Sequence, residues 1–462
     1  MRGAGRLLRG IPILVLAAFL FSLGRLFFPL PSIPLFDPEV LHIFEITLGY
    51  SALALVCSWC LSHLFLRAKS ELLFSVFRFF WVMPGFAYAL IVLLSSRVMG
   101  IQDRYSMRSV FAAWVLAGVP FLTLAIREAL QDLDPREKEA LQSLGANPRQ
   151  VWFHFDWIRT LPAQSAALLQ QFWLYLTSFS LVMILSGGPP NETLEVAIYT
   201  SVRLDQVNLG RALALCLWQA VLLIVLRFSL QTKTHTGLEW GAEKKVVKRS
   251  FVKRSFLGIG LIGLIFLFQS RDLNLDGFGG SLFTGIGLAL LVMALTLSFS
   301  LLCYFTRVAW IAEFGAWFSP MVLTLAWWKL CAFSLPPLLN CLLIQVVLFS
   351  PWIARTLFPM LDRKRNLELE AARSLGASPI RAWFAVEWPR LKGAFSFCLS
   401  LLFFLSINEV TAVLLFSKGE FEPLSVWVQN SFFRFRIEEA ALGTMVLILI
   451  SYFVMDRGSK TT

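Results

Sequence analysis

The sequence predicts an all-α polytopic membrane protein of about twelve transmembrane helices, arranged as two six-helix repeats of the same orientation. Three observations carry that prediction. Residues of the set AVILMFWYC make up 57% of the 462-residue chain and charged residues only 15%, which is more apolar surface than a water-soluble domain needs. Apolar runs of bilayer length alternate with short polar stretches from one end to the other. One polar stretch occurs twice, as EALQSLGANPRQVWFHFDWIR from Glu139 to Arg159 and as EAARSLGASPIRAWFAVEWPR from Glu370 to Arg390. The offset, 370 − 139 = 231, is half the chain length, as an internal duplication requires.

Taken in chain order, the elements follow from charge and from helix breakers. Arg2, Arg6 and Arg9 precede an apolar run from Ile11 to about Leu30 that no small-residue cleavage site closes. A retained first span with its N-terminus inside is expected there rather than a signal peptide. The second span runs from about Phe44 to Leu66 and stops at Arg67 and Lys69, an inward cluster. The third, roughly 76–94, contains Pro84 and Gly85, which interrupt the hydrogen-bond ladder and allow a bend. The fourth, roughly 110–126, contains Pro120, and Pro351 repeats it at the 231 offset. The first polar stretch follows, then a fifth span at about 166–185, an outward stretch SGGPPNETLEVAIYTSVRLDQVNLG, and a sixth span at about 212–228. Lys233, Lys244, Lys245, Lys248, Arg249, Lys253 and Arg254 then form a basic linker on the inside. The second half repeats the plan, with spans near 256–268, 282–305, 314–330, 338–357, 394–416 and 440–455. The expected division is 1–230 for the first half, 231–255 for the linker and 256–462 for the second half, with both termini cytoplasmic.

The repeated stretch reads as a small device. Gly145 ends a helix that starts before Glu139, because glycine accepts the left-handed conformation common just past a helix C-terminus. Asn147 then caps a second helix whose first residue is Pro148. Gly376, Ser378 and Pro379 repeat the arrangement. Glu139 and Glu370 are expected near the positive end of the first helix, where they can also accept bonds from a partner. Trp152, Phe153, Trp383 and Phe384 provide an apolar face on the second.

These two stretches resemble the E-A-A coupling loops of ABC-transporter permeases of the binding-protein-dependent type. The second copy matches that pattern at Glu370, Ala371, Ala372, Leu375, Gly376, Ala377 and Pro389. The first matches at Glu139, Ala140, Leu144, Gly145 and Ala146, with Leu141 in place of the second Ala and Ile158 where Pro389 stands. Two such loops in one chain resemble the fused double permeases of the ferric-iron and thiamine importers. The resemblance implies that the loops, within 128–162 and 359–393, dock onto two copies of a separate ATPase subunit that holds ATP and Mg. It implies a periplasmic or lipid-anchored binding protein that delivers ferric iron or thiamine, and a place in the bacterial inner membrane with lipid around the spans. A secondary transporter with two six-helix repeats is the alternative; it explains the span count and leaves the paired loops without a purpose.

Other chemistries find little support. No G-x-x-x-x-G-K-[ST] phosphate loop occurs, nor any Gly-Lys dipeptide, so ATP hydrolysis is expected elsewhere and the chain is read as a non-enzyme that binds no cofactor. The net charge of +12 sits in clusters between spans and argues for membrane topology, not nucleic acid. Seven cysteines lie in or near apolar runs, and four histidines are scattered, so no metal site is expected. Asn408 and Glu409, in LLFFLSINEVTAVLL, are polar groups within an apolar run and mark a candidate substrate pathway. Ser178, the first-half counterpart, is uncharged, so the halves are expected to contribute unequally.

Overall fold

A computed structural model describes residues 2–26, 33–68, 70–186, 188–189, 191–203, 208–231, 276–331, 335–362, 366–417 and 419–460. Among these residues there are helices and turns and no strand. The basic linker and the seventh expected span lie outside the described residues. Contacts divide the chain into two units: one holds residues 34–231, and the other joins the start of the chain to residues 276–460.

The first unit runs α2 (Pro38–Leu66), α3 (Glu71–Trp81), α4 (Gly85–Val98), α5 (Met107–Gln131), α6 (Pro135–Ser143) and α7 (Pro148–Val151). A π-helical turn, Trp152–Asp156, leads into α8 (Trp157–Leu176), followed by α9 (Ser180–Leu185), α10 (Leu194–Arg203) and α11 (Leu209–Gln231). The other unit contains α1 (Arg2–Leu26) and α12 (Phe278–Phe305), then α13 (Ala309–Ala312) with a 3-10 turn at Phe314–Trp317. After these come α14 (Pro320–Cys331), α15 (Pro337–Asp362), α16 (Asn366–Ser374), α17 (Pro379–Ile407), α18 (Thr411–Phe416), α19 (Leu424–Phe433) and α20 (Ile437–Lys460). From α5 to α9 the elements recur in α15 to α18 at offsets of 230 or 231, so the duplication read from two loops extends to the surrounding helices.

Helix packing inside a bilayer has no large hydrophobic driving force and relies on close approach of small residues. Both units show this. The buried face of α2 is Val40, Ile43, Thr47, Ser51, Ala54, Ser58 and Ser62. The buried face of α12 is Ser281, Gly285, Leu288, Ala289, Val292, Thr296, Ser300 and Cys303. The hydroxyls on α2 donate back to carbonyls one turn earlier, Thr47 to Ile43 at 2.8 Å and Ser62 to Ser58 at 2.7 Å, while Thr47 also accepts the Leu194 N–H of α10 at 3.0 Å and Ser62 reaches the Val119 carbonyl of α5 at 3.3 Å.

Among the described residues, seven helices are long and apolar enough to cross a membrane: α2, α5, α11, α12, α15, α17 and α20. The third expected span is two helices, α3 and α4, meeting at 114° around Met83 and Pro84, so the breaker forces a sharp turn where a bend was expected. The fifth and eleventh expected spans are each interrupted, at Thr177–Phe179 and at Asn408–Val410. The ninth begins as a 3-10 turn and becomes α-helical only at Pro320. The outward stretch after α9 contains a deeply buried helix, α10, where residues 194–198 are all buried.

The division at residue 230 groups α1 with the first half, whereas in the structure it packs in the other unit. Pro12, Leu16, Phe19 and Ser22 recur at helical spacing on its buried side. Phe19 stacks on Trp327 with ring centroids 4.5 Å apart, and Leu16 joins Cys303, Ile311, Ala312, Ala354 and Phe358 in one cluster. Aromatic and aliphatic shape, unreadable from the apolar run alone, selects that neighbour.

Candidate functional site

The L-G-A element common to the two loops is a helix-ending motif. In the first, the Gly145 N–H donates to Gln142 at 3.0 Å and the Ala146 N–H reaches Leu141 at 3.1 Å. In the second, Gly376 donates to Arg373 at 2.9 Å and Ala377 to Ala372 at 3.1 Å. This pairing satisfies the last carbonyls of α6 and α16 and requires a left-handed residue between them. Gly145 and Gly376 both have φ of 86°. A side chain there costs on the order of 1–2 kcal/mol before any contact is considered.

The next helices start as the sequence implies. The Asn147 side chain accepts the Gln150 N–H at 2.9 Å while the Gln150 side chain accepts the Asn147 N–H at 2.9 Å, a complete capping box. Ser378 makes the single cap bond, accepting the Arg381 N–H at 3.4 Å. Glu139 and Glu370 lie past the first turn, where Glu137 and Glu368 sit instead; their carboxylates are therefore not the groups at the positive end.

What the two turns present outward is apolar. Leu144 is 83% exposed and Leu375 88%, and Glu139, Ala140, Glu370 and Ala371 beside them are exposed as well. Ala146, Ala372 and Ala377 are half-buried beneath. Phe153, Phe384 and Ile380 extend the apolar surface. Two leucines standing in solvent at symmetry-related turns have no role in this chain's own packing.

The candidate pathway residues stand at the two interruptions. Ser178 follows α8 and accepts the Trp114 indole N–H at 2.9 Å. The Tyr175 hydroxyl donates to the Trp114 carbonyl at 2.7 Å. Glu409 follows α17 and is 8% exposed. Its Oε1 accepts the Ala412 N–H at 2.9 Å, its Oε2 lies 3.5 Å from the Gln345 amide nitrogen, and its carbonyl accepts the Ser425 hydroxyl at 2.9 Å. The Ser406 hydroxyl donates to Gln345 Oε1 at 2.6 Å. Asn408 is half-buried and donates to Phe404 and to Ser451 Oγ at 2.8 and 3.0 Å.

Sequence reasoning missed Trp114, Tyr175, Gln345 and Ser406. The signal was the 231 offset itself: 114 + 231 = 345, 175 + 231 = 406 and 178 + 231 = 409. Gln345, a carboxamide inside the apolar run CLLIQVVLF, was visible on composition alone. A second missed pair is Glu192 and Thr200, the hydroxyl donating at 3.0 Å, repeated by Asn430 donating to Glu422 at 2.5 Å. Burial holds the Glu192 carboxyl above its ordinary range, against the opposing pull of the Thr200 bond and of Arg211. Among the described residues no group of three or more metal-ligating side chains comes together.

The chain is 24% identical over 386 residues to the thiamine transport system permease protein of Haemophilus influenzae, covering 75% of this chain and 71% of the relative. It is 24% identical over 402 residues to the protein of the same name from Brucella melitensis, covering 78% and 73%. A shorter stretch of 104 residues, 22% of this chain and 38% of the relative, is 27% identical to a probable sulfate transport system permease protein of Helicosporidium. No family model and no solved structure matches. An alignment over three quarters of the chain necessarily enters both halves, and with the paired turns this similarity supports a permease subunit of an ABC importer, of the type in which two permease halves are fused in one polypeptide.

Proposed function

We propose that this permease carries thiamine inward across the bacterial inner membrane, received from a periplasmic or lipid-anchored binding protein. The observation that supports thiamine over ferric iron is the similarity, through most of the chain, to relatives named as thiamine permeases. Two copies of an ATPase subunit, which hold ATP and Mg, grip the two turns from the cytoplasm. Leu144 and Leu375 enter apolar recesses on those subunits, and Glu139 and Glu370 meet their basic groups. Gly145 and Gly376 fix the turn so that Ala140, Ala146, Ala371, Ala372 and Ala377 allow close approach. Solute passes beside the helix interruptions that follow α8 and α17, where Ser178 and Asn408 stand. The turns and both termini face the cytoplasm.

The test is reconstitution of the permease with its ATPase and binding protein in lipid vesicles. ATP-dependent uptake of radiolabelled thiamine, with no uptake of ferric iron, is the expected result. Uptake that persists without ATP and collapses with the ion gradient refutes the importer reading in favour of a secondary transporter. Topology is checked in intact cells with Asn147→Cys: an impermeant thiol reagent added outside must leave it unlabelled.

A further inference from the structure

Each coupling turn lies at the bend of a long hairpin. α5 enters the first turn and α8 leaves it; α15 and α17 do the same at the second. With 29 residues, α17 is a rod of about 43 Å from its turn to its interruption. The far ends of both hairpins are tied at the same three positions. In the first half the tie is Trp114, Tyr175 and Ser178, and in the second it is Gln345, Ser406 and Glu409. Trp114, Tyr175, Gln345 and Ser406 are all at most 3% exposed.

We propose that these triads are corresponding clasps, and that Glu409 is a positioning residue that holds the interruption after α17 against α15 rather than a group that touches solute. The proposal rests on the permease reading. Three observations carry it. Both carboxylate oxygens of Glu409 are turned into the protein, one onto the Ala412 amide and the other toward Gln345. Its carbonyl takes the Ser425 hydroxyl, so α15, α17, α18 and α19 all meet at this residue. Its counterpart Ser178 makes the matching tie to Trp114 without any charge. What the two halves share at this position is therefore a bond across the hairpin, and a solute-binding charge is not shared. A hairpin closed at both ends moves as one frame, so displacement of a turn reaches the interruption at the other end.

The experiment uses the whole transporter in vesicles, with radiolabelled thiamine uptake and binding-protein-stimulated ATP hydrolysis as the two readouts. Glu409→Gln keeps a carbonyl oxygen for the Ala412 amide and removes the charge, and with the Gln345 carboxamide turned over its new NH2 donates to Gln345 Oε1 while Gln345 Nε2 donates to the Ser406 hydroxyl, so the clasp stays closed; uptake is expected to stay within about threefold of wild type, with KM unchanged. Gln345→Leu and Glu409→Ala each open the clasp. Each is expected to lower the maximal uptake rate about tenfold at unchanged KM, with basal ATP hydrolysis continuing but its stimulation by the binding protein lost, and the pair together to be no worse than the worse single change. Loss of uptake or a tenfold rise in KM in Glu409→Gln, with Gln345→Leu near wild type, overturns the clasp and makes Glu409 a solute ligand. If Glu409→Ala fails to reach the membrane, the other two variants decide. Wild-type vesicles that move no thiamine refute the solute assignment alone: the clasp is then read from ATP hydrolysis, which must lose its stimulation in Gln345→Leu and keep it in Glu409→Gln.

Discussion

The two hairpins that carry the repeated turn have the same turn and different bracing. In the first, the helix before the turn is tied to the helix after it: Lys138 donates to Asp156 at 2.7 Å and Arg159 pairs with Glu137 at 3.3 Å. In the second, the equivalent acid and base, Glu387 and Arg390, bond each other at 2.5 Å, and Arg390 also donates to the Met360 carbonyl at 2.8 Å. The first hairpin resumes through a π-helical turn at Trp152–Asp156, where the Trp157 N–H reaches back to Trp152. The second runs through the same positions as unbroken α-helix, with Pro389 inside it. Trp152 and Trp157 gather around His63, at centroid distances of 6.1 and 5.3 Å, which places the π turn inside an aromatic cluster. A π turn inside an α-helix is frequent at functional sites. The comparison separates what the repeated turn requires, which both copies retain, from how it is supported, which has diverged.

The largest expected effect comes from the shared part. Changing Gly145→Val and Gly376→Val together forces two β-branched residues to positive φ. Co-purification of the ATPase and ATP-driven uptake are expected to fall to background, with permease levels in the membrane unchanged. If the ATPase still co-purifies, the turns are not its docking site. Each single change is expected to give a partial defect.

Next in size is a change in the clasp region. A Cβ at Gly118 would lie 2.0 Å from the Tyr175 hydroxyl and 2.7 Å from Ser58 Oγ, so the Tyr175 ring has to shift away from its bonds to Trp114 and Ser58. Gly118→Ala is expected to destabilise the first half by about 1–3 kcal/mol, read as a lower thermal unfolding midpoint in detergent. The second half carries Phe349 at the corresponding position, and the smaller Ser406 where the first half has Tyr175. Phe349→Leu is expected to leave the ATP hydrolysed per thiamine taken up unchanged.

Smaller effects test the bracing. Asp156 is nearly buried and Lys138 is half exposed, so Asp156→Asn is expected to cost about 1 kcal/mol after allowance for solvent screening, with a loss of midpoint that shrinks at high salt. Arg159→Ala removes a pair exposed on both sides and is expected to shift the midpoint little, by about 0.5 kcal/mol or less. An Arg159 effect larger than the Asp156 effect would reverse the ranking of the two braces.

Sequence alone determined the turns. Glycine after a leucine C-cap, an Asn or Ser two residues later and proline after it specify the local hydrogen bonds wherever they occur, because every partner lies within five residues. Sequence alone also revealed the duplication, and through it the correspondence of Ser178 with Glu409; the helix interruptions at both came from the structure. Tertiary structure decided which groups meet at those interruptions: Trp114 with Ser178 and Gln345 with Glu409 are each 64 residues apart, and no periodicity links them. It also decided that the Pro84 region turns through 114° and that α1 packs against α14 and α12. Apolar runs state that a helix belongs in lipid, but the choice of neighbour depends on side-chain shape and on small-residue faces that form only when two helices come together.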